Sequence, residues 1–390
     1  MSCKSLGLIL LCAFLASCDT APSKDSHSVT ARNAAAESAH YSQGVGGSPF
    51  SPEEIRAFRA EVAKAEQIQD DNERCLAYPN PPGSHWSRDT VKAYCHYRLQ
   101  PTLNTEYMAQ LVKNNQAPLI DRAVAEYVKT TATIEHSQDT IWRSIAQDFD
   151  TTNPQVRSMV DEWKKQSPGS ALAYAASGNI YYKMAAAARG GDWADQTPQQ
   201  NFESMHGLLE KAKKDLAKAV ELDPSLSGAY AVMVRVGRMD GDVAFTEESA
   251  RRGMAVDPAS YAIYQMVAEA AEPRWGGSRT LQQAVIKSAE QQSVANPLLV
   301  LIRAAVLMDV YDLRVCHDRT GQEEAAYRDV FDQVGGFGDL LGAGECAKDQ
   351  HHSELAFVFL SEAWRFHPGP DIMQDRQFVA AELDQSGYKR

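Results

Sequence analysis

The stretch 212–224, AKKDLAKAVELDP, decides the fold because it combines the residue spacing of an amphipathic helix with a proline that terminates that helix. Ala212, Leu216 and Ala219 recur at intervals of four and three residues, which places them on one face of a helix. Pro224 cannot continue a helix, so this helix ends just before it. The stretch therefore predicts an amphipathic helix that packs through small residues and stops at an Asp-Pro pair.

A second Asp-Pro pair lies at Asp257-Pro258, 34 residues after the first. This period and ending resemble the tetratricopeptide repeat, in which two-helix hairpins stack side by side. The second-helix pattern also fits Ala356, Leu360, Ala363 and Pro368, and more loosely Thr246, Ala250 and Gly253; the first-helix pattern fits Tyr174, Gly178 and Tyr181. The resemblance implies an all-α, irregular tetratricopeptide-like helical-hairpin solenoid. A bundle whose helices happen to end at Asp-Pro is the alternative.

In tetratricopeptide proteins, residues of the first helix of each hairpin line an inner groove. Carried over to this chain, the groove positions are Asn179, Tyr182, Lys183, Arg235, Arg238, Gln265 and Glu269. Three basic residues in one groove would form a positive site in an acidic chain. The resemblance thus implies a protein or peptide partner, such as an acidic segment or a C-terminal carboxylate. The alternative is that these are ordinary solvent-facing charges.

The block 272–278, EPRWGGS, lies between two predicted helices. It resembles a block of an uncharacterised bacterial family whose members supply no activity. We expect Trp275 to anchor the connection in the core. Gly276 and Gly277 permit a sharp turn, and Ser278 can cap the helix that follows. A glycine pair before a helix can also cradle phosphate, but this block lacks the lysine of a P-loop.

The N-terminus combines Lys4 with an apolar run that ends in Leu15–Cys18, LASC. This arrangement is typical of a secretory signal, and the cysteine resembles the lipobox of bacterial lipoproteins. The resemblance implies a lipoprotein signal peptide over 1–17 and a lipid on Cys18; an ordinary secretory signal is the alternative. Residues 18–50, rich in small polar residues, are expected to form a flexible tether. The expected location is the bacterial cell envelope, lipid-anchored at the membrane and facing the periplasm.

Charge and cysteine content narrow the function classes. The net charge of −12 argues against nucleic acid as a partner. Apart from the signal peptide and Cys18, the cysteines are Cys75, Cys95, Cys316 and Cys346. In an oxidising compartment these are disulfide candidates, and local pairing of Cys75 with Cys95 and of Cys316 with Cys346 is the most economical of three pairings. Zinc bound by the second pair and nearby histidines is an alternative, although the spacing matches no zinc motif.

We therefore predict four parts: the signal peptide (1–17), the lipidated tether (18–50), an N-terminal helical region with a disulfide-stapled loop (51–165) and a repeat domain (166–390). The chain has no nucleophile elbow, P-loop or His-Glu-x-x-His motif, so we predict a non-catalytic protein without a cofactor or metal. The predicted function is a protein–protein interaction scaffold. The alternatives are an immunity or inhibitor lipoprotein that neutralises a toxin delivered to the periplasm, and an envelope hydrolase with an unrecognised site.

Overall fold

The computed structural model describes residues 49–100, 103–131, 137–316 and 322–387. Within them the chain is all-helical and contains no strand, which confirms the predicted all-α helical-repeat class. None of the described helices is long and apolar enough to cross a bilayer. In chain order the α-helices are α1 (Pro52–Ala65), α2 (Asp71–Ala77), α3 (Arg88–Leu99), α4 (Thr105–Lys113), α5 (Pro118–Thr131), α6 (Ser137–Asp148), α7 (Pro154–Gln166), α8 (Ala171–Arg189), α9 (Gln199–Leu222), α10 (Ser227–Asp240), α11 (Val243–Val256), α12 (Tyr261–Ala270), α13 (Arg279–Gln292), α14 (Leu301–Val310), α15 (Gln322–Val330), α16 (Phe337–Asp349), α17 (Ser353–Phe366) and α18 (Pro370–Gln385).

The described helices form two compact units. The central unit runs from Gln100 to Leu299 and contains α4–α13. The terminal unit joins the described residues up to Leu99 with those from Val300 onward, and contains α1–α3 and α14–α18. This division does not coincide with the predicted boundary between 165 and 166, because α7 and α8 pack together in the central unit.

Two-helix hairpins are the building blocks of the central unit. Helices α8 and α9 form one hairpin, α10 and α11 the next, and α12 packs against α10 and α13. Ala212, Leu216 and Ala219 are fully buried, and α9 ends directly before Asp223-Pro224, as predicted. A Cβ atom on Gly178 would lie 2.6 Å from Leu216 Cγ, so glycine permits the close approach of α8 and α9. The small residues of the repeat pattern therefore set the spacing between the paired helices.

The terminal unit is built around α17. This helix pairs with α16 and also contacts α1, α2, α3 and α18. The pattern residues Ala356, Leu360 and Ala363 are fully buried in it. The guanidinium of Arg365 is buried as well, and its Nε donates to the carbonyl of Cys75 at 2.7 Å. This buried hydrogen bond therefore holds the C-terminal part of α2 against α17.

Both predicted disulfides are present in the terminal unit, which confirms the local pairing. Cys75–Cys95 joins α2 to α3, and Cys316–Cys346 joins the segment after α14 to α16. The loop between α2 and α3 is also held by Trp86, whose Nε1 donates to a main-chain carbonyl at 2.8 Å. Because a disulfide sulfur is not a thiolate ligand, this pairing rules out the zinc alternative for Cys316 and Cys346.

The predicted signal peptide (1–17), Cys18 and most of the tether (18–50) lie outside the described residues. Only 49 and 50 of the tether are described. Phe50 is buried, with the guanidinium of Arg328 lying 5.4 Å from the centre of its ring. Packing in the terminal unit therefore begins at Phe50, the last residue of the expected tether.

Candidate binding site

The predicted groove residues lie on α8, α10 and α12, the first helices of successive hairpins. Helix α10 packs against both of the others, so the three form a continuous surface. The seven positions are Asn179, Tyr182 and Lys183 on α8, Arg235 and Arg238 on α10, and Gln265 and Glu269 on α12. Side-chain contacts connect most of them, but they do not form one open groove.

Helix α6 packs against α8, α10 and α12 and so fills part of the predicted groove. Trp142 of α6 lies against Gly228 of α10, where an added Cβ would be 3.4 Å from the Trp142 Cβ. Asn179 is fully buried, and its Nδ2 donates to the main-chain carbonyl of Ile145 at 3.1 Å. This corrects the prediction for Asn179, which holds the chain's own helix and does not face a partner.

Asp139 anchors the first turn of α6 at the N-terminus of α12. Its Oδ1 accepts from the amide of Ala262 at 3.0 Å, and its Oδ2 accepts from the amide of Tyr261 at 3.3 Å and from Asn296 Nδ2 at 2.9 Å. Burial raises the pKa of Asp139 to about 7, although these donors oppose the shift. This carboxyl therefore fixes where α6 crosses the first helices.

The loop that follows α6 supplies a carboxylate to two cations of the groove. Lys183 Nζ lies 3.0 Å from Asp150 Oδ2, and Arg235 Nη1 lies 3.1 Å from Asp150 Oδ1. Arg235 Nη1 also donates to Asn179 Oδ1 at 3.3 Å. Its guanidinium lies 4.0 Å from the centre of the buried Tyr182 ring, in cation–π contact. Lys183 and Arg235 thus share one carboxylate.

Arg238 forms a second charged contact, between α10 and α12. Its Nη1 lies 2.6 Å from Glu269 Oε2, and its guanidinium lies 4.8 Å from the centre of the Trp275 ring. The Nε atom is buried and has no hydrogen-bond partner among the described residues. Gln265 makes a separate contact, in which its Nε2 donates to the hydroxyl of Tyr261 at 3.0 Å.

We call the cluster of Lys183, Arg235, Arg238, Asp150 and Glu269 the basic end of the groove. Its three cations and two carboxylates leave one net positive charge, because Asp150 adds a carboxylate to the predicted groove residues, which already include Glu269. The side chain of Lys183 is 41% exposed and that of Glu269 is 35% exposed, whereas that of Arg238 is only 8% exposed. A ligand approaching from solvent therefore meets Lys183 and Glu269 first.

The block around Trp275 forms the predicted turn, with one correction. Gly276 has a positive φ of 88°, and a Cβ on Gly277 would lie 2.1 Å from the Ala271 carbonyl oxygen. Ser278 caps α13 by accepting from a main-chain amide at 3.2 Å. The amides of both glycines donate to main-chain carbonyls, so they are not directed at a phosphate. Trp275 does not anchor the core: it is 37% exposed, because its ring covers the Arg238 guanidinium.

A second buried carboxyl lies in the terminal unit. Glu362 is fully buried; its Oε2 accepts from Arg365 Nη1 at 3.0 Å, and its Oε1 has no hydrogen-bond partner in the described part of the chain. Burial raises the pKa of Glu362 to about 7, against the opposing charge of Arg365. A pKa near 7 suits an acid–base catalyst, but both Glu362 and Asp139 are at most 1% exposed. A substrate therefore cannot reach either carboxyl in this structure.

Sequence reasoning missed the residues that close the groove, namely Asp139, Trp142 and Asp150. Residues 137–150 look like an ordinary short amphipathic helix and loop, and no spacing in them signals that they fold into the groove. No protein-family model matches the chain, and no curated protein matches it either. The predicted kinship with the family that carries the Pro-Lys/Arg-Trp-Gly-Gly-Ser block stays a prediction.

Proposed function

We propose that the protein is a non-catalytic scaffold that binds a protein or peptide partner at the basic end of the groove. The observation that carries the proposal is the setting of Arg238. Its guanidinium packs against Trp275 and pairs with Glu269 through Nη1, while Nε has no partner among the described residues. A buried donor without an acceptor is costly, which favours a ligand that supplies one.

A carboxylate on an extended segment is the acceptor that fits best. Arg238 is only 8% exposed, so such a ligand reaches its guanidinium when the more exposed Glu269 side chain swings aside, and it can then span Nε and a terminal nitrogen as a bidentate pair. About a third of the Glu269 side chain is exposed, so a ligand carboxylate can replace it without disturbing the helices. Lys183 would then pair with a second acidic group or with the main chain of the ligand. We therefore propose an acidic or C-terminal peptide segment as the partner.

We further propose that Cys18 carries lipid and that the protein faces the periplasm. The two disulfides support an oxidising compartment. A lipid anchor followed by a tether would raise the concentration of the binding surface near the membrane. This placement suits a scaffold for envelope proteins.

The test uses a displayed library of peptides with free C-termini, from which binders to the full-length chain are selected. Each selected peptide is compared with its C-terminal amide by fluorescence anisotropy. Loss of one charge-assisted contact is expected to weaken binding by about tenfold. Equal affinity of acid and amide would remove the C-terminal carboxylate from the proposal and leave acidic side chains as the ligand groups.

A matched pair of lysines tests the location of the site. Lys183→Glu reverses a charge at the basic end, whereas Lys165→Glu makes the same change on α7, where the lysine is 74% exposed and pairs with Glu162. We expect Lys183→Glu to weaken peptide binding by about tenfold or more and Lys165→Glu to leave it unchanged. Equal effects of the two variants would show that only overall charge matters and would overturn the proposed site.

A further inference from the structure

An apolar cavity of about 220 Å³ lies between α4, α5 and α6 in the central unit. Helix α6 borders it with Thr140, Ile141 and Ser144. These residues lie on the opposite side of the helix from Asp139 and Trp142, which face the groove. The cavity is therefore separate from the basic end and calls for its own explanation.

The walls of the cavity are mainly aliphatic, and none of the described lining residues is charged. The innermost walls are formed by Met108, Leu111, Ile120 and Ile141, each at most 7% exposed. Two of the polar lining residues are already engaged: Asn104 Oδ1 accepts from the amide of Tyr107 at 2.8 Å, and the Ser144 hydroxyl donates to the carbonyl of Thr140 and accepts a main-chain amide, both at 3.3 Å. Such walls give water few partners and offer no counter-charge to an ion.

We propose that this cavity binds the alkyl chain of a small uncharged molecule. It is roughly half as large again as an apolar cavity of about 150 Å³ that holds benzene, so it has room for about eight or nine carbon atoms. Tyr107 and Ala123 are exposed and mark its opening, where the polar end of the ligand would meet solvent. The uncharged head follows from the absence of a charged group among the described lining residues.

Straight-chain 1-alkanols are the probes, titrated by calorimetry into the full chain carrying Cys18→Ser so that no detergent is needed. Affinity is expected to rise about fourfold for each added CH₂ group, because each buried group contributes about 0.8 kcal/mol. The rise should stop near eight or nine carbons, where the cavity is full. Absence of saturable binding at every chain length would overturn the proposal.

Two variants tie the binding to this cavity. Ala123→Phe places a ring at the opening and should lower octanol affinity by tenfold or more, whereas Ala125→Phe, at an exposed position of α5 outside the lining, should leave it unchanged. Met108→Ala enlarges the cavity and should move the length limit to alkanols about three carbons longer, a gain that unfolding cannot produce. Equal octanol affinity in Ala123→Phe and the parent protein, or an unchanged limit in Met108→Ala, would locate the binding elsewhere and overturn the assignment.

Discussion

Asn179 donates its side-chain amide to the main-chain carbonyl of Ile145 at 3.1 Å, where α6 crosses α8. Asn179, which the repeat pattern places in the partner-binding groove, therefore forms this hydrogen bond within the chain. A ligand that reached Asn179 would have to displace α6 together with Trp142 and Ile145, which are both buried. That displacement would expose a large apolar area, so we expect partners to engage the basic end only.

Gly178→Ala should push apart α8 and α9, the two helices of one hairpin, and so lower the free energy of unfolding. The new Cβ would lie 2.6 Å from Leu216 Cγ, so α8 and α9 must move apart. We expect a loss of about 1–3 kcal/mol in the free energy of unfolding, measured by urea titration. Gly207→Ala is the matched control on α9, because no atom lies within 4 Å of its added Cβ. That control should gain about 0.5–1 kcal/mol, and a similar gain in Gly178→Ala would contradict the packing argument.

The hairpins could be predicted from the sequence because their determinants are local. Leu216 and Ala219 repeat on one helix face, and Pro224 stops the helix, whatever the rest of the chain does. The position of α6 depends instead on long-range contacts, such as that between Asp139 and the amide of Ala262. A resemblance to the repeat family also predicts that Asn179 lines the groove, but it does not predict that α6 covers this residue. For the same reason the sequence predicted the three cations and Glu269 in the groove, but not Asp150, which pairs with Lys183 and Arg235.

The Cys75–Cys95 disulfide should contribute measurably to stability. It closes a loop with a sequence separation of 20 between α2 and α3. Replacing both cysteines with serine should lower the free energy of unfolding by about 3 kcal/mol in the chain-entropy model. Denaturant titration measures the loss, and mapping of disulfide-linked peptides checks that Cys316–Cys346 remains intact. Unchanged stability would mean that the packing of Trp86 alone holds this loop.

Glu362 should make stability fall as the pH rises. Burial raises its pKa in the folded state to about 7, above the ordinary value of 4.5. Between these values the folded carboxyl keeps a proton that the unfolded chain releases, so the stabilisation is complete below about pH 4.5 and is lost by about pH 7. The expected loss is about 3 kcal/mol. Urea titrations across this range measure it.

The variant Glu362→Gln distinguishes the contribution of this carboxyl to the pH dependence of stability from the contributions of other groups that titrate in the same range. The amide oxygen can still accept from Arg365 Nη1, but the side chain no longer ionises. The stability of the parent protein relative to this variant should therefore decline between pH 4.5 and about pH 7. Parallel pH profiles for the two proteins would show that Glu362 keeps an ordinary pKa in the folded state.

Asp150→Asn should strengthen the binding of an acidic peptide at the basic end. Asp150 neutralises both Lys183 and Arg235, so its removal raises the net charge of the basic end from one to two. The asparagine side chain still accepts a hydrogen bond and leaves the loop after α6 in place. We expect affinity to increase by about threefold to tenfold at low salt, measured by anisotropy with a selected carboxylate peptide, and the gain to shrink as salt is added.

Asp161→Asn is the control for that gain, because it removes a carboxylate from α7 that pairs with Arg157, outside the groove. It changes the total charge equally, so unchanged peptide affinity in this variant would assign the gain in Asp150→Asn to the basic end. Weaker binding in Asp150→Asn would mean instead that Asp150 holds Arg235 and Lys183 in a productive position. In that case the carboxylate would serve the ligand site by orienting the cations, and the expectation that its charge opposes an acidic partner would be wrong.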